Sequence, residues 1–231
     1  MITKPLAASC RWWRNPIALL SAVCCPVLAY AASDAPGRLL QPAAVVIHVH
    51  DEITDQRFVP LLVARLARTL APAIRTSAAK IDLAPFRPWI GAIDAQALLD
   101  AFAGRFDWQR DPAAIQIVII DDDIRLKPSR FSFAASVGDA GTPFHLSIVS
   151  LARLQRLAGD GRRDSNPDRT AERAFKLIAK NVARLSGYGG STLCLFAFPR
   201  SLAELDATPE SFCEPDLAAL VAAGIARPMP R

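Results

Sequence analysis

Two basic side chains, Lys180 and Arg184, lie four residues apart in a segment with helical periodicity. Residues four apart share one face of a helix, so the two cations are expected to point the same way. Beside Lys180 stands Asn181, a neutral amide that cannot accept a proton as a general base must. The simplest interpretation of this pair of cations is a solvated helix face. The functional alternative is an anion pocket for a carboxylate or a phosphate.

Three carboxylates in a row, Asp121, Asp122 and Asp123, directly follow an apolar segment at 115–120. Clustered carboxylates suit hard divalent cations, and many nucleotide-sugar transferases hold such a metal with an Asp-x-Asp at a strand end. Acidic residues also end strands as turn formers, which is the simpler interpretation of a motif this short.

The histidines His48, His50 and His145 are further candidate metal ligands. His48 and His50 share one face of a predicted strand because side chains alternate there, so capture of copper or zinc is conceivable. A strand-end pair with ordinary hydrogen bonds is the simpler explanation. The sequence contains neither a G-x-S-x-G frame nor a glycine-rich phosphate loop, so neither a serine hydrolase nor a nucleotide-binding protein is indicated.

Apolar periodicity places these residues on alternating strands and helices, which indicates an α/β or α+β domain. Pro167 suits the first position of the long third helix and Gly187 suits its end, while Thr54 or Asp55 could cap the first helix. The predicted strands are 44–49, 115–120, 131–137 and 145–150, and the predicted helices are 58–70, 94–102, 171–186 and 217–223.

In one order along the chain, several short segments resemble the archaemetzincin family of zinc peptidases. That family reads H-E-x-x-H-x-x-G-x-x-H along its active-site helix and beyond, followed by a C-x-M turn. The matching segments are 180–187, Cys194-Leu195-Phe196, 201–206, Phe212-Cys213, 121–124, 131–134 and 148–154. The resemblance runs over about residues 45–220. It implies a single zincin-like domain with a mixed sheet and an active-site-type helix at about 170–186, packed beneath a cleft.

The resemblance also implies that the catalytic zinc site is lost. In its register Lys180 and Arg184 replace two histidine ligands, and Asn181 replaces the glutamate that serves as general base. Gly190 stands where the third histidine would be, and Phe196 replaces the methionine below the metal. Two cations repel a dication and neither is a usual zinc ligand. We therefore expect no catalytic residue, no metal ligand and no cofactor.

A second zinc site of the family, built from four cysteines, has only two counterparts here, Cys194 and Cys213. Ser191 and Asp216 stand near the other two positions. A structural zinc ion usually needs four ligands, so a disulfide between the two cysteines is the simpler state in an oxidising compartment. Two separate buried thiols are the alternative.

The N-terminus has the three parts of a secretory signal peptide. Lys4, Arg11 and Arg14 precede an apolar run at 16–28, and residues 29–31 fit the small-x-small rule for cleavage. The apolar stretch falls short of the ~20 residues that span a bilayer, so an uncleaved membrane anchor is the weaker alternative. We predict a periplasmic or secreted protein.

Cleavage before Ala32 divides the chain into a signal peptide at 1–31, a flexible leader at 32–43 and the archaemetzincin-like domain at 44–231. The whole chain carries a net charge of +5, and residues 1–31 hold three basic and no acidic residues, which leaves +2. No strong basic block survives, so we expect no nucleic-acid partner.

These features predict an exported, catalytically inactive pseudopeptidase that binds an unidentified peptide, protein or anionic ligand. One alternative is a zinc-dependent metallopeptidase with non-standard ligands from His48, His50, His145 or the acidic residues, for which zinc would be the cofactor. A second alternative is a structural envelope protein of the periplasm without a ligand.

Overall fold

A five-stranded mixed sheet organises the computed structural model, which describes residues 39–104, 113–129, 132–138, 144–159 and 161–228. These residues belong to one compact unit, Ala35–Arg231. The predicted signal peptide, residues 32–38 of the predicted leader, and Phe131 lie outside the described residues. Among the described helices, none has both the length and the apolar character needed to cross a membrane.

The strands of the main sheet follow the order β2-β1-β4-β7-β6. The first four are parallel, and β6 pairs antiparallel with β7 at one edge. Two very short strands, β3 and β5, pair separately. The strands are β1 (Ala44–His50), β2 (Ala73–Ala79), β3 (Ile93–Asp94), β4 (Ala114–Ile120), β5 (Ile124–Arg125), β6 (Ala134–Val137) and β7 (His145–Ser150).

Helices cover both faces of the sheet. They are α1 (Phe58–Thr69), α2 (Ala95–Ala103), α3 (Leu151–Leu154), α4 (Pro167–Leu185), α5 (Leu202–Ala207) and α6 (Glu214–Ala222). The alternation of β4 explains the layers, because Ile117 and Ile119 enter the core beneath α1 and α4 while Val118 and Ile120 enter the core beneath α2. The predicted α/β domain with a mixed sheet is therefore confirmed.

The structure corrects three details of the predicted elements. Arg57 is the N-cap of α1 and makes no side-chain cap, while Asp55 accepts a hydrogen bond from the Arg57 backbone N–H instead. The pattern did not predict β2 because this edge strand is mostly exposed and lacks alternation. It also did not predict α5, which Ser201 caps by accepting from the Glu204 N–H.

Residues 39–43, the described part of the predicted leader, run along the domain. The Leu40 N–H donates to the Ser186 carbonyl at 2.9 Å, and Leu39 packs against the core. This contact joins the entry to β1 with the end of α4.

Candidate functional site

The long helix α4 carries the residues that the sequence singled out. Asn166 caps it by accepting from the Asp168 and Arg169 N–H groups, and Pro167 takes the first helical position. Its predicted apolar stripe is buried against the sheet and α1. Gly187, with φ 88°, follows the helix end as predicted. The burial of the apolar stripe therefore determines which face of α4 contacts the residues after the helix.

Lys180 does not lie on a solvated face, which corrects that interpretation for this residue. Its side chain is only 5% exposed, because the segment between the two disulfide-bonded cysteines folds back over α4. The ammonium group donates to the Ala197 carbonyl at 3.1 Å and lies 5.1 Å from the centre of the Phe198 ring. Arg184, one turn further on, is exposed as the solvated-face interpretation expects.

Burial also changes the acidity of Lys180. Desolvation, and to a smaller extent the charge of Arg184, lower the pKa of Lys180 to about 8. The group therefore still carries its proton in most molecules at neutral pH, and it loses that proton under mildly alkaline conditions.

Asn181 is part of a buried hydrogen-bonded chain. Its Nδ2 donates to Ser147 Oγ at 2.8 Å, and this hydroxyl donates to the Ala135 carbonyl at 3.2 Å. The chain joins α4 to β7 and to the edge strand β6. In the position of the family's general base, this residue has a neutral side chain whose amide is already occupied by a structural contact.

Gly190 and Phe196 occupy the same small volume. Gly190 has φ +65°, and a Cβ built there would lie 2.7 Å from Cδ1 of Phe196. The Phe196 ring is buried between Tyr188 and Phe212, at centroid distances of 5.6 and 5.2 Å. With this ring in place, the position matched to the third histidine has no room for a side chain.

The positions matched to the family's four-cysteine site are bonded to one another in pairs. Cys194 and Cys213 form the predicted disulfide. Ser191 Oγ donates to Asp216 Oδ2 at 2.6 Å, and the Ser191 N–H and the Tyr188 hydroxyl both donate to Asp216 Oδ1. One covalent link and one buried hydrogen-bonded pair therefore hold this part of the chain together.

A groove of about 710 Å³ opens between the end of α4, the edge strand β6 and residues 198–200. Among the described residues that line it, none is a carboxylate, and four are cations: Lys127, Lys180, Arg184 and Arg200. Lys127 forms an ion pair with Asp94, which lies outside the groove, with 3.4 Å between Nζ and Oδ2. A cleft lined by one sign of charge attracts counter-ions, so this groove is suited to an anionic ligand.

The other candidate ligands are engaged elsewhere. His48 Nε2 donates to Gln116 Oε1 at 2.7 Å, and burial lowers the pKa of His48. His50 Nε2 donates to the Ile81 carbonyl at 2.6 Å. His145 lies on β7, which β4 separates from β1. Within the described part of the chain, no group of three or more His, Cys, Asp or Glu side chains could hold a metal ion.

The acidic run after β4 is held by arginines. Arg87 donates to both carboxylate oxygens of Asp122, and Arg153 donates to both oxygens of Asp123. Burial raises the pKa of Asp121, the remaining carboxylate of the run. These contacts favour the structural interpretation of the run.

Sequence reasoning did not anticipate two buried cations on α4, Arg173 and Lys176. Arg173 is 0% exposed and makes two hydrogen bonds to the Asp206 carboxylate, while Lys176 donates to the carbonyls of Leu205 and Asp206. With Lys180 they form one row, which we call the cation row, and all three bind the segment 197–206. The available signal was their helical spacing together with Asp206 downstream.

The buried position of Lys180 predicts a pH-dependent stability. Its pKa is lowered on folding from 10.5 to about 8, so between these values the unfolded chain binds more protons and stability rises with pH. Relative to Lys180→Met, the wild type should gain about 2 kcal/mol between pH 8 and pH 10, since one pKa unit corresponds to ~1.4 kcal/mol. Urea unfolding of both proteins across this range measures the difference. A difference that stays constant would contradict the assignment.

Comparisons of the sequence with known proteins find no match. No protein-family model matches the chain, and no curated protein matches it in sequence.

Solved structures do match. Archaemetzincin from Methanopyrus kandleri is 18% identical, with a TM-score of 0.62 over 79% of this chain and 96% of the other. Archaemetzincin from Archaeoglobus fulgidus is 17% identical, with a TM-score of 0.57 over 76% and 98%. A zinc-dependent peptidase from Methanocorpusculum labreanum is 19% identical, with a TM-score of 0.58 over 76% and 99%. The chain therefore has an archaemetzincin-like, metallopeptidase-like fold, as the sequence resemblance predicted.

Proposed function

We propose that this chain is an exported, catalytically inactive archaemetzincin-like protein that binds an anionic ligand in the groove beside α4. The observation that carries the proposal is the position of Lys180 and Arg184. Both line the groove, and the sequence resemblance matches them to two zinc ligands of the family. A charge that would oppose a bound dication favours a bound carboxylate instead.

The neighbouring residues support the same proposal. Asn181 carries no charge and donates its amide to Ser147, so it is unsuited to activate a water molecule. Phe196 fills the space beside Gly190, where the third ligand would have to enter. A peptidase of this fold needs both a base and three converging ligands, and these positions offer neither.

The edge strand β6 indicates which class of ligand fits the groove. It pairs with β7 on one side only, and Ala134, Ala135 and Ser136 line the groove. An exposed strand edge binds extended peptides through main-chain hydrogen bonds. A peptide whose carboxylate reaches Lys180 and Arg184 therefore fits both the backbone and the charge of the groove. The structure from Archaeoglobus fulgidus is itself a complex with a dicarboxylate, malonate.

Titration of triglutamate into the purified protein at low ionic strength tests this proposal. Replacing both Lys180 and Arg184 with Ala should weaken binding at least about tenfold, because removing a charged hydrogen-bond donor from a partly desolvated site costs ~1 kcal/mol or more. The matched control is Arg57→Ala with Arg68→Ala, which removes two exposed cations from outside the groove. The single variant Arg184→Ala is measured as well, because it removes an exposed cation and leaves buried Lys180 in place.

Three outcomes would contradict the proposal. Wild-type protein that does not bind triglutamate would favour a structural protein without a ligand. Equal weakening in the control variant, Arg57→Ala with Arg68→Ala, would mean that net charge, and not the groove, determines binding. One stoichiometric zinc ion in the purified protein, measured by elemental analysis, would favour a zinc-dependent peptidase with non-standard ligands.

A further inference from the structure

A second groove continues the first. It has a volume of about 390 Å³, and Phe133 and Arg200 line both grooves. Its other cations are Arg153 and Arg156, and no carboxylate is found among the described residues that line it. Asp160, which stands between the lining residues Gly159 and Gly161, lies outside the described residues. We call the described cations that line the two grooves the track; they are Lys127, Lys180, Arg184, Arg200, Arg153 and Arg156.

The cations along this track differ in how far they are neutralised. Arg153 makes two hydrogen bonds to Asp123, so its charge is compensated. Arg156, Arg184 and Arg200 are exposed, and none of their side chains forms an ion pair among the described residues, while the Arg200 backbone N–H donates to the Glu204 carboxylate at 2.6 Å. Arg156 donates through its Nε to the Ala152 carbonyl at 2.9 Å.

Arginines outside the track vary in the same way, since exposed Arg68 forms no ion pair among the described residues whereas three others do. Arg57, Arg65 and Arg87 each pair with at least one carboxylate close to them. Uncompensated cations that line a continuous groove concentrate positive potential there, whereas paired ones do not.

The surfaces between the cations are apolar. Leu157, Leu202 and Ala203 line the second groove, and Leu126, Leu177 and Phe198 line the first. A ligand that matches this track needs apolar groups alternating with negative charges on a backbone able to pair with β6. An acidic peptide segment in extended conformation has all three features, since alternate side chains of a strand point to opposite sides.

We infer that the ligand is an extended acidic peptide segment that runs from the Lys180–Arg184 end of the first groove, past Arg200, to Arg156 in the second. This inference rests on the proposed function, because it places the same ligand in the same first groove. It adds the length of the ligand and the residues that bind its far end.

Ligand length separates the inference from the proposed function. Extended triglutamate spans at most about 11 Å and octaglutamate up to about 28 Å, so only the longer peptide is expected to reach from Lys180 to Arg156. Octaglutamate should therefore bind wild-type protein about fivefold more tightly than triglutamate, on the strength of the added ion pair with Arg156. Arg156→Ala should weaken octaglutamate about fivefold and leave triglutamate unchanged. Arg68→Ala, an exposed arginine on α1 outside both grooves, should weaken neither peptide.

Calorimetric titration of both peptides into the three proteins decides between the outcomes. Triglutamate binding with no gain for octaglutamate, or an Arg156→Ala variant that keeps full octaglutamate affinity, would overturn this inference and leave the proposed function standing. No triglutamate binding at all would overturn the proposed function. An eight-nucleotide oligothymidylate that binds as tightly as octaglutamate would overturn the assignment of a peptide and indicate recognition of charge alone.

Discussion

Replacing Asp206 with Asn should lower the free energy of unfolding by about 3 kcal/mol or more, because it leaves a buried guanidinium without its counter-ion. Arg173 is fully buried, and its Nε and one terminal nitrogen donate to the Asp206 carboxylate at 2.5 and 2.6 Å. The other terminal nitrogen donates to the carbonyls of Leu154 and Arg156. Among the described residues, the nearest remaining carboxylate is Asp164, which lies 4.0 Å away and already pairs with Arg169.

Glu210→Gln is the matched control for this change. Glu210 also pairs with an arginine, Arg65, but its side chain is exposed and Arg65 has a second partner in Asp168. Surface pairs of this kind contribute about 0–1 kcal/mol. Urea unfolding should therefore separate the two variants clearly. Equal loss of stability would mean that the burial of Arg173 does not govern its energetics. Adding Arg173→Met to Asp206→Asn should recover part of the loss, since an apolar side chain needs no counter-ion there.

The cation row explains how α4 and the segment 197–206, inside the disulfide loop, stay together. Arg173 binds the Asp206 side chain, Lys176 binds the carbonyls of Leu205 and Asp206, and Lys180 binds the Ala197 carbonyl. The disulfide between Cys194 and Cys213 closes the same segment on itself. Lys180 thus serves two purposes, because it holds this segment over the helix and also lines the groove.

Sequence patterns predicted the elements that are buried on at least one face. β1, α1, β4 and α4 each carry apolar residues at the spacing of their secondary structure, and all four lie where the pattern predicts. The edge strand β2 escaped prediction because solvent, and not the core, covers most of its side chains. Local periodicity records only burial, so a strand without a buried face leaves little signal.

Sequence singled out residues that line the groove, but it could not predict how they pack. Resemblance to a family identified Lys180, Asn181 and Arg184, and the structure brings all three to one wall of the groove. Whether Lys180 is solvated depends on residues 197–198, which are far from it along the chain. The hydrogen bond from Asn181 to Ser147 likewise joins elements that no local pattern connects. Long-range packing of this kind has no signature in spacing.

Gly190→Ala should destabilise the protein by about 3 kcal/mol, from two additive causes. The left-handed backbone at Gly190, φ +65°, costs an L-residue about 1–2 kcal/mol. In addition, the new methyl group would meet Phe196 ring carbons at 2.7–2.8 Å, and overpacking a rigid core costs about 1–3 kcal/mol. The adjacent Gly189→Ala is the matched control, since a Cβ there has no atom within 4 Å. Thermal or urea unfolding of the two variants measures the difference, and a similar small effect for both would contradict the overlap.

The same overlap bears on whether a zinc site can be introduced. Changing Lys180 and Arg184 to His would place two imidazoles on one helix face, but a third at position 190 has to enter the volume of the Phe196 ring. Phe196→Met should therefore reduce the cost of Gly190→Ala by removing the ring, leaving mainly the backbone contribution of about 1–2 kcal/mol. An undiminished cost in the double variant would assign the whole effect to the backbone. A diminished cost would show that the Phe196 ring and a side chain at position 190 compete for the same volume.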